Sequence, residues 1–499
     1  MREKTKKIVD KTVQIISSKY FFWGVIALFV FQAVWIAFSF RYPMIYDEYY
    51  HFGLIEHFSH QWLPWINNQP VTLDLYGALG RHPYLLYHYL MSFPFRIIAL
   101  FTNDLAVQVI SMRLINIGLF AGGLVVFARL FKVMKVQPVF RNVALLFFVL
   151  LPVTPFVAAT VNYDNAVFLL TALLVLIGVR IIQSQNIQWH NYALIILIGM
   201  IGSLVKSSFL PIFAAGFIFI FVRLIINHKK RLVHDIVESF RTSGLWLKIV
   251  ILVPIAIVGF LFAERFAVNI IQYHSLDPSC TSQMSQGRCN TNPVELRNRY
   301  LEKIKSKDTI PAQVPQYANT WFSEMINTLL ISGSNTNGKF GTEYAKPLPI
   351  IYLVVFWGTI VSFAAFFYSL DKLRKIPGFW LTISIIVLYL ASLFYVDLSH
   401  YYEYYQPIAI QGRYLLPLLP FMILFALLGL NNALRRFSLA KLAILLIVFV
   451  LYLNGAGAIT HIMRSNDNWY WDNSQIIYKI NNKAKNILRP FLTEWWYEK

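Results

Sequence analysis

The chain has 499 residues, 57% of them hydrophobic, 16% aromatic and 14% charged, with a mean hydropathy of +0.54; a soluble enzyme of this length would carry about 25% charge. Apolar stretches of about 20 residues, enough to cross a bilayer's hydrocarbon core, recur along the whole chain, so it reads as an all-α polytopic membrane protein. The formal net charge of +20 does not mark a nucleic-acid binder, because Lys and Arg are scattered over short loops and tails and form no single stripe.

Residues 1–20 open with the basic segment MREKTKKIVDK, which resembles the n-region of a signal peptide. The apolar run FFWGVIALFVFQAVWIAFSF at 21–40 is long for a signal h-region and lacks a small-residue cleavage site, so it reads as an uncleaved anchor with a cytoplasmic N-terminus. Further spans are expected at 106–128, 141–160, 165–183, 191–206, 208–225, 246–263, 348–369, 378–396, 412–431 and 440–460, a bundle of about eleven crossings. The basic loops 129–141, 223–235, 371–375 and 435–441 then share one side, the cytoplasmic one by the positive-inside rule. The other side, outside the cell membrane, receives 41–105, 161–164, 264–347, 397–411 and the tail 461–499. The chain thus divides into an N-terminal transmembrane module 21–263 carrying the loop 41–105, a large extracytoplasmic loop 264–347, C-terminal helices 348–460, and the tail. Segment 84–101 is apolar enough to span, which would invert this parity, but its Pro94 and Arg96 suit an interfacial helix better. Cys280 and Cys289, the chain's two cysteines, share the large loop and read as a disulfide in an oxidising compartment, two free thiols being the alternative. Walker loops, Cys-x-x-Cys zinc patterns and internal duplications are not found, which argues against an ATP-driven pump.

Where the first span surfaces, the sequence reads YDEYYH. A carboxylate at that boundary, Asp47 or Glu48, is partly desolvated and suited to accept a proton from a hydroxyl, while its neighbour orients the acceptor or binds a metal. The dipeptide alone reads first as a pair of solvated loop acids. Its context is richer: His51, Ile55 and Phe58 are spaced to share one helical face, Trp62 and Trp65 are interfacial anchors, and Arg81 and His82 precede a Pro that opens a second amphipathic segment. Further on, Asn162 and Asp164 open a helix in AATVNYDNAVFLL, where helix capping is an equal reading. Lys206 lies between two apolar runs in GSLVKSSFLP, where snorkelling competes with function. Arg413 and Tyr414 stand in QGRYLLPLLPF at 411–421, and a guanidinium at a helix start can bind phosphate bidentately.

In this order of motifs the sequence resembles the GT-C membrane glycosyltransferases, a group that includes the protein O-mannosyltransferases and the bacterial transferases of aminoarabinose to lipid A. The resemblance rests on the acid pair Asp47–Glu48, on the two amphipathic segments after it, and on the stretches around Asp164, Lys206 and Arg413. QGRYLLPLLP and FGTEYAKPLP (340–349) are similar to runs in a bacterial branch of predicted membrane proteins of that superfamily. The sequence departs from it at His82-Pro83, where many relatives carry two prolines, so the substrate is not carried over.

The resemblance implies a GT-C-like bundle with juxtamembrane helices in the first extracytoplasmic loop and a sugar donor carried on a polyprenyl phosphate. Asp47 would be the base that activates an extracytoplasmic acceptor, with Glu48 and Asp164 orienting it or holding a divalent ion whose use stays open. Lys206 and Arg413, with Arg81 and His82 as weaker candidates, would bind the donor phosphate, and His51, Asn162 and Tyr414 the acceptor or sugar. The reaction would invert the anomeric centre. The large loop and the Trp- and Tyr-rich tail would cover the acceptor site without catalysing. A transporter or flippase of lipid-linked sugar needs the same groove and cations but no base at Asp47; a polysaccharide polymerase or ligase of another fold and a non-catalytic scaffold are further alternatives.

Overall fold

The computed structural model describes residues 2–491 except 67, 185, 229–231, 306–311, 336–341, 346–348, 438, 439, 442, 445, 448–456, 466–468 and 472–474. A basic helix, Arg2–Ser17 (α1), leads into Lys19–Ser39 (α2), started by Ser18, whose hydroxyl accepts from the Phe21 N–H at 3.1 Å. The first loop folds into Glu48–Ser59 (α3), a 3-10 turn Val71–Tyr76, and Leu86–Ala99 (α4). Next come Leu105–Val133 (α5), Pro138–Leu150 (α6), Val153–Ala158 (α7), Asp164–Gln183 (α8), Trp189–Val205 (α9), Phe209–His228 (α10), Leu232–Thr242 (α11) and Leu245–Phe262 (α12), which runs through a π-turn into Val268–Tyr273 (α13). The large loop holds Cys280–Gln283 (α14), Gln286–Cys289 (α15), Pro293–Ile304 (α16), Val314–Leu329 (α17) and an antiparallel pair, Ser332–Asn335 (β1) with Thr342–Ala345 (β2). Pro349–Tyr368 (α18), Leu370–Leu373 (α19), Phe379–Tyr404 (α20), a 3-10 turn Gly412–Leu415 and Leu419–Ala433 (α21) follow; Gly457–Arg464, Gln475–Leu488 and a 3-10 turn Arg489–Phe491 end the described chain.

Seven of the described helices are long and apolar enough to cross a membrane: α2, α5, α8, α10, α12 with its extension, α18 and α20; α6, α9 and α21 are apolar but shorter. The chain is therefore an all-α, multi-pass membrane protein. In α8, 61% of the apolar window is buried, against 11% in α12 and α18, so α8 lies at the centre of the bundle and the other two at its rim. Around α8, Phe168 stacks on Phe120 of α5 (4.1 Å between centroids) and Phe148 of α6 (5.3 Å), while Phe120 stacks on Phe29 of α2 (5.3 Å). Offset aromatic stacks of this kind add about 0.5–1.5 kcal/mol each beyond their buried area.

Several expected elements differ in detail. The predicted span 141–160 is two helices, α6 and α7, because Leu151 precedes Pro152 and takes an extended backbone (ψ 127°) that a helix interior does not allow. The predicted span 412–431 starts as a 3-10 turn, and its α-helix begins only at Leu419, with Pro420 in the first turn where its missing N–H has no intrahelical partner to lose. Segment 84–101 forms the 14-residue α4, which is not among the seven long helices and packs on α3. His51, Ile55 and Phe58 are all buried on one face of α3. Most of the expected span 440–460, much of FGTEYAKPLP and the final EWWYEK lie outside the described residues.

Candidate functional site

The acid pair is divided by the backbone. Tyr46 and Asp47 both adopt left-handed conformations (φ 70° and 65°), a turn that ends the extended chain after α2 and starts α3 at Glu48. Consecutive carboxylates consequently point opposite ways. Glu48 is fully buried: Oε1 accepts from Arg113 Nε (2.8 Å) and the Val161 N–H (3.2 Å), and Oε2 from Arg113 Nη2 (2.6 Å) and the Met44 N–H (2.7 Å). Asp47, whose side chain is 60% exposed, accepts from Arg413 Nη2 at 2.7 Å. Glu48, expected beside Asp47 on an acceptor or a metal, has four donors on its two oxygens in this structure and faces away from Asp47's open side.

Arg413 is brought there by the turn Gly412–Leu415. A Cβ on Gly412 would lie 2.4 Å from the Met325 carbonyl and 2.9 Å from the Leu329 N–H, so only glycine allows α17 to press against this turn. The Arg413 guanidinium faces the rings of Tyr46 (4.8 Å) and Tyr414 (5.3 Å), and its Nε and Nη1 are buried without a hydrogen-bond partner. Beside it, Lys206, at the extended end of α9, donates to Asp164 Oδ1 at 2.5 Å; both side chains are buried, and Asp164 Oδ2 has no partner. Lys206 Nζ lies 4.6 Å from each of the Tyr163 and Tyr414 ring centroids. Asp47, Asp164, Lys206, Arg413 and Tyr414, drawn from separate stretches of sequence, therefore form one group.

The remaining candidates fall elsewhere. Asn162 is buried with both ends of its amide used by backbone, donating to the Tyr46 carbonyl (2.7 Å) and accepting from the Asp164 N–H (2.8 Å). It ties the left-handed turn to the start of α8. His51 is buried too; its Nδ1 faces His88 Nε2 at 2.9 Å and its ring meets Tyr163 edge to face at 4.4 Å. Burial first, and then the nearby Arg413 and Lys206 charges, hold the His51 imidazole well below its usual pKa, and burial does the same to His88. His51 backs the site as a neutral ring. Arg81 and His82 turn to the large loop instead: Arg81 binds Glu264 Oε1 (2.6 Å) and Asn269 (2.9 Å), and His82 faces Asp277 (3.2 Å). In this structure both side chains face residues 264–277 and lie apart from the group around Arg413. Cys280 and Cys289 are disulfide-bonded, and Arg288 beside them pairs with the buried Asp74 at 2.6 Å. In the tail, Trp469 stacks on Phe40 (5.3 Å), its carbonyl accepts from the Arg41 N–H (2.9 Å), and Trp471 lies 5.7 Å from the Arg113 guanidinium. The tail thus covers the Glu48–Arg113 pair.

Arg113 and His88 are the residues that the reading of the sequence missed. Arg113 sits inside the predicted span 106–128, and an arginine within an apolar helix is itself a signal of a buried partner. Among the described residues, the three-residue group with metal-ligand spacing is His234, Asp235 and Glu238 on α11, away from this site and partly exposed. Asp47 and Asp164 each already hold a cation, so this group fits an incoming anion better than a divalent ion.

A multi-pass helical bundle with a charged group gathered at its helix ends is the class of protein that fold and site define. Residues 76–422 match the family described as "Predicted membrane protein (DUF2142)", and the chain belongs to that family. No curated protein matches the sequence. Similar solved structures include the archaeal oligosaccharyltransferase AglB from Archaeoglobus fulgidus in complex with an inhibitory peptide and a dolichol-phosphate (12% identity, TM-score 0.42, 94% of this chain and 60% of that one). The A. fulgidus oligosaccharyltransferase tethered to an acceptor peptide is another (11%, 0.43, 94% and 59%). The chain spans about 60% of the length of those structures.

Proposed function

We propose that this protein is a membrane glycosyltransferase of GT-C type that moves a sugar from a polyprenyl-phosphate carrier to a hydroxyl acceptor on the outer side of the cell membrane. The observation that carries this reading is the pairing of an accessible carboxylate, Asp47, with a buried guanidinium that has N–H groups to spare, next to a second buried cation, Lys206. An arginine desolvated against aromatic rings with unmet donors on Nε and Nη1 is suited to bind oxyanion oxygens, and a phosphate supplies several. The carboxylate on the open side is placed to take a proton.

In this mechanism Asp47 takes the proton from the acceptor hydroxyl as its oxygen bonds to the sugar C1. The C1–O bond to phosphate breaks on the opposite face, and the lipid phosphate departs with the electron pair. Inversion follows from that single displacement. Arg413 and Lys206 stabilise the charge developing on the leaving phosphate, and Tyr163 and Tyr414 keep water from the two cations. The side of the membrane follows from the basic loops, which leave α3, α4 and the large loop outside.

The test is donor turnover. Purified protein in nanodiscs is offered a panel of polyprenyl-phosphate sugars with cell-envelope extract as the source of acceptors, products are read by mass spectrometry, and Asp47→Asn is run alongside. Consumption of one donor with its sugar on an acceptor, lowered about 10²–10⁴-fold in Asp47→Asn, supports the reading. Donor that crosses a vesicle membrane unchanged, at the same rate in Asp47→Asn, replaces it with lipid-linked sugar transport.

A further inference from the structure

The turn that presents Asp47 is two consecutive residues in a left-handed conformation, and neither is glycine. Asp tolerates that region, since its short side chain bonds locally; a bulky Tyr does so only when the surroundings hold it there. What holds it lies one residue further on. The Glu48 carboxylate fixes the Met44 N–H on one side of the turn and the Val161 N–H, three residues before Asp164, on the other. Arg113 closes the arrangement by gripping both Glu48 oxygens and donating from Nη1 to the carbonyls of Ala37 (2.9 Å) and Phe40 (2.6 Å), at the end of α2. Both side chains are fully buried, and Trp471 of the tail lies against the guanidinium.

We propose that Glu48 and Arg113 are positioning residues, a buried clamp that forces the Tyr46–Asp47 turn and so sets the Asp47 carboxylate against Arg413. The proposal rests on the reading of Asp47 as the reacting carboxylate. The clamp joins five places at one point: the end of α2, the approach to α3, α3 itself, α5, and the strand of chain leading to α8. The first turn of α8 carries Asp164, so the same clamp sets the distance between the two halves of the open site. A planar five-donor fork is the side chain that can satisfy a carboxylate and two carbonyls together, which a lysine's single ammonium on a flexible stem cannot do with the same geometry.

The experiment separates placement from overall folding. Both native cysteines are disulfide-bonded, so a single introduced cysteine takes a spin label cleanly. Labels are placed at Tyr49→Cys, in the first turn of α3, and at Glu56→Cys, two turns later on the same exposed side. Each is followed in the wild-type background, in Arg113→Lys, and in the paired exchange Glu48→Leu with Arg113→Met, which leaves no unpaired buried charge, the label at 56 reporting whether the helix as a whole stays packed. The expected result is a mobile spectral component at position 49 and none at 56, strongest in the paired exchange and partial in Arg113→Lys. In the transfer assay kcat falls about 10- to 100-fold, more than the donor KM rises, as misplacement of a reacting group predicts. An unchanged label at 49 in the paired exchange overturns the clamp. Equal mobility at 49 and 56 also overturns it, by assigning the pair to general packing. Because the spectra need no substrate, an absence of turnover in the wild type would sink the glycosyltransferase reading while the labels still decide whether the clamp sets the turn.

Discussion

Asp47 and Glu48 are neighbours in sequence, each binds one arginine, and the two pairs have opposite characters. Around Glu48–Arg113, the four acceptor contacts on the carboxylate and the four donor contacts of the guanidinium are all made inside the protein. Around Asp47–Arg413, one carboxylate is largely exposed, two guanidinium nitrogens have no partner, and the adjacent Asp164 keeps a free oxygen. Leaving a buried donor unmet costs about 1–3 kcal/mol, more for a charged group. Every nitrogen of the Arg113 guanidinium has a partner, while two nitrogens of Arg413 have none, and this difference is what the proposal of an incoming anion rests on.

That contrast is broken most forcefully from the closed side. Arg113→Met strands the Glu48 carboxylate in the core, and an uncompensated buried charge costs about 3–5 kcal/mol. The expected outcome is a large fall in melting temperature, or no folded protein, when the variant is purified into nanodiscs. Asp47→Asn alters a 60% exposed carboxylate whose place its isosteric amide oxygen can still fill as acceptor for the buried Arg413, so its stability cost is expected to be smaller than that of Arg113→Met while transfer is lost. If both variants melt alike, the division into closed and open pairs is wrong.

A smaller effect is expected from the open side. Arg413→Lys keeps the charge but loses the planar fork, and Lys206→Met removes the second cation. Each should weaken binding of free polyprenyl phosphate by about tenfold or more, the worth of one or two charge-assisted hydrogen bonds, with little change in melting temperature for Arg413→Lys and a fall for Lys206→Met, which strands the buried Asp164 carboxylate. Titration by microscale thermophoresis checks this, and unchanged affinity in both variants would remove the phosphate from this site.

The sequence is a good guide to the open pair and a poor one to the closed pair, for a physical reason. Asp47, Asp164, Lys206 and Arg413 stand at helix ends, where a charged residue interrupts an apolar run and is conspicuous. Glu48 is conspicuous too, but its role depends on which way the chain turns, and nothing local announces two left-handed residues in Tyr46-Asp47. Arg81 and His82 carry the same outward signs as Lys206, yet Glu264 and Asp277, nearly two hundred residues away, claim them. The helices themselves follow apolar length closely; where they part from it, proline decides, by holding Leu151 out of the helical region before Pro152 and by fitting the first turn of α21 at Pro420.

The finest test of the contrast is pH, because the two histidines behind the open site are held neutral. Burial is the main cause for both, with the Arg413 and Lys206 charges adding to it at His51. Their folded-state pKa values lie below the unfolded value of about 6.5. Above that pH both states are neutral and the histidines contribute no slope. As the pH falls through about 6.5 the unfolded chain takes up protons that the folded chain refuses, so stability is lost on acidification, approaching about 1.4 kcal/mol per histidine per pH unit. The measurable quantity is the fall in melting temperature between pH 7.5 and 5 in nanodiscs, compared with the His51→Gln/His88→Gln variant. The wild type should fall more steeply, since glutamine does not titrate. Parallel curves would mean that the pair charges in the folded protein, and that a third and fourth cation stand beside Lys206 and Arg413 where the site is read as having two.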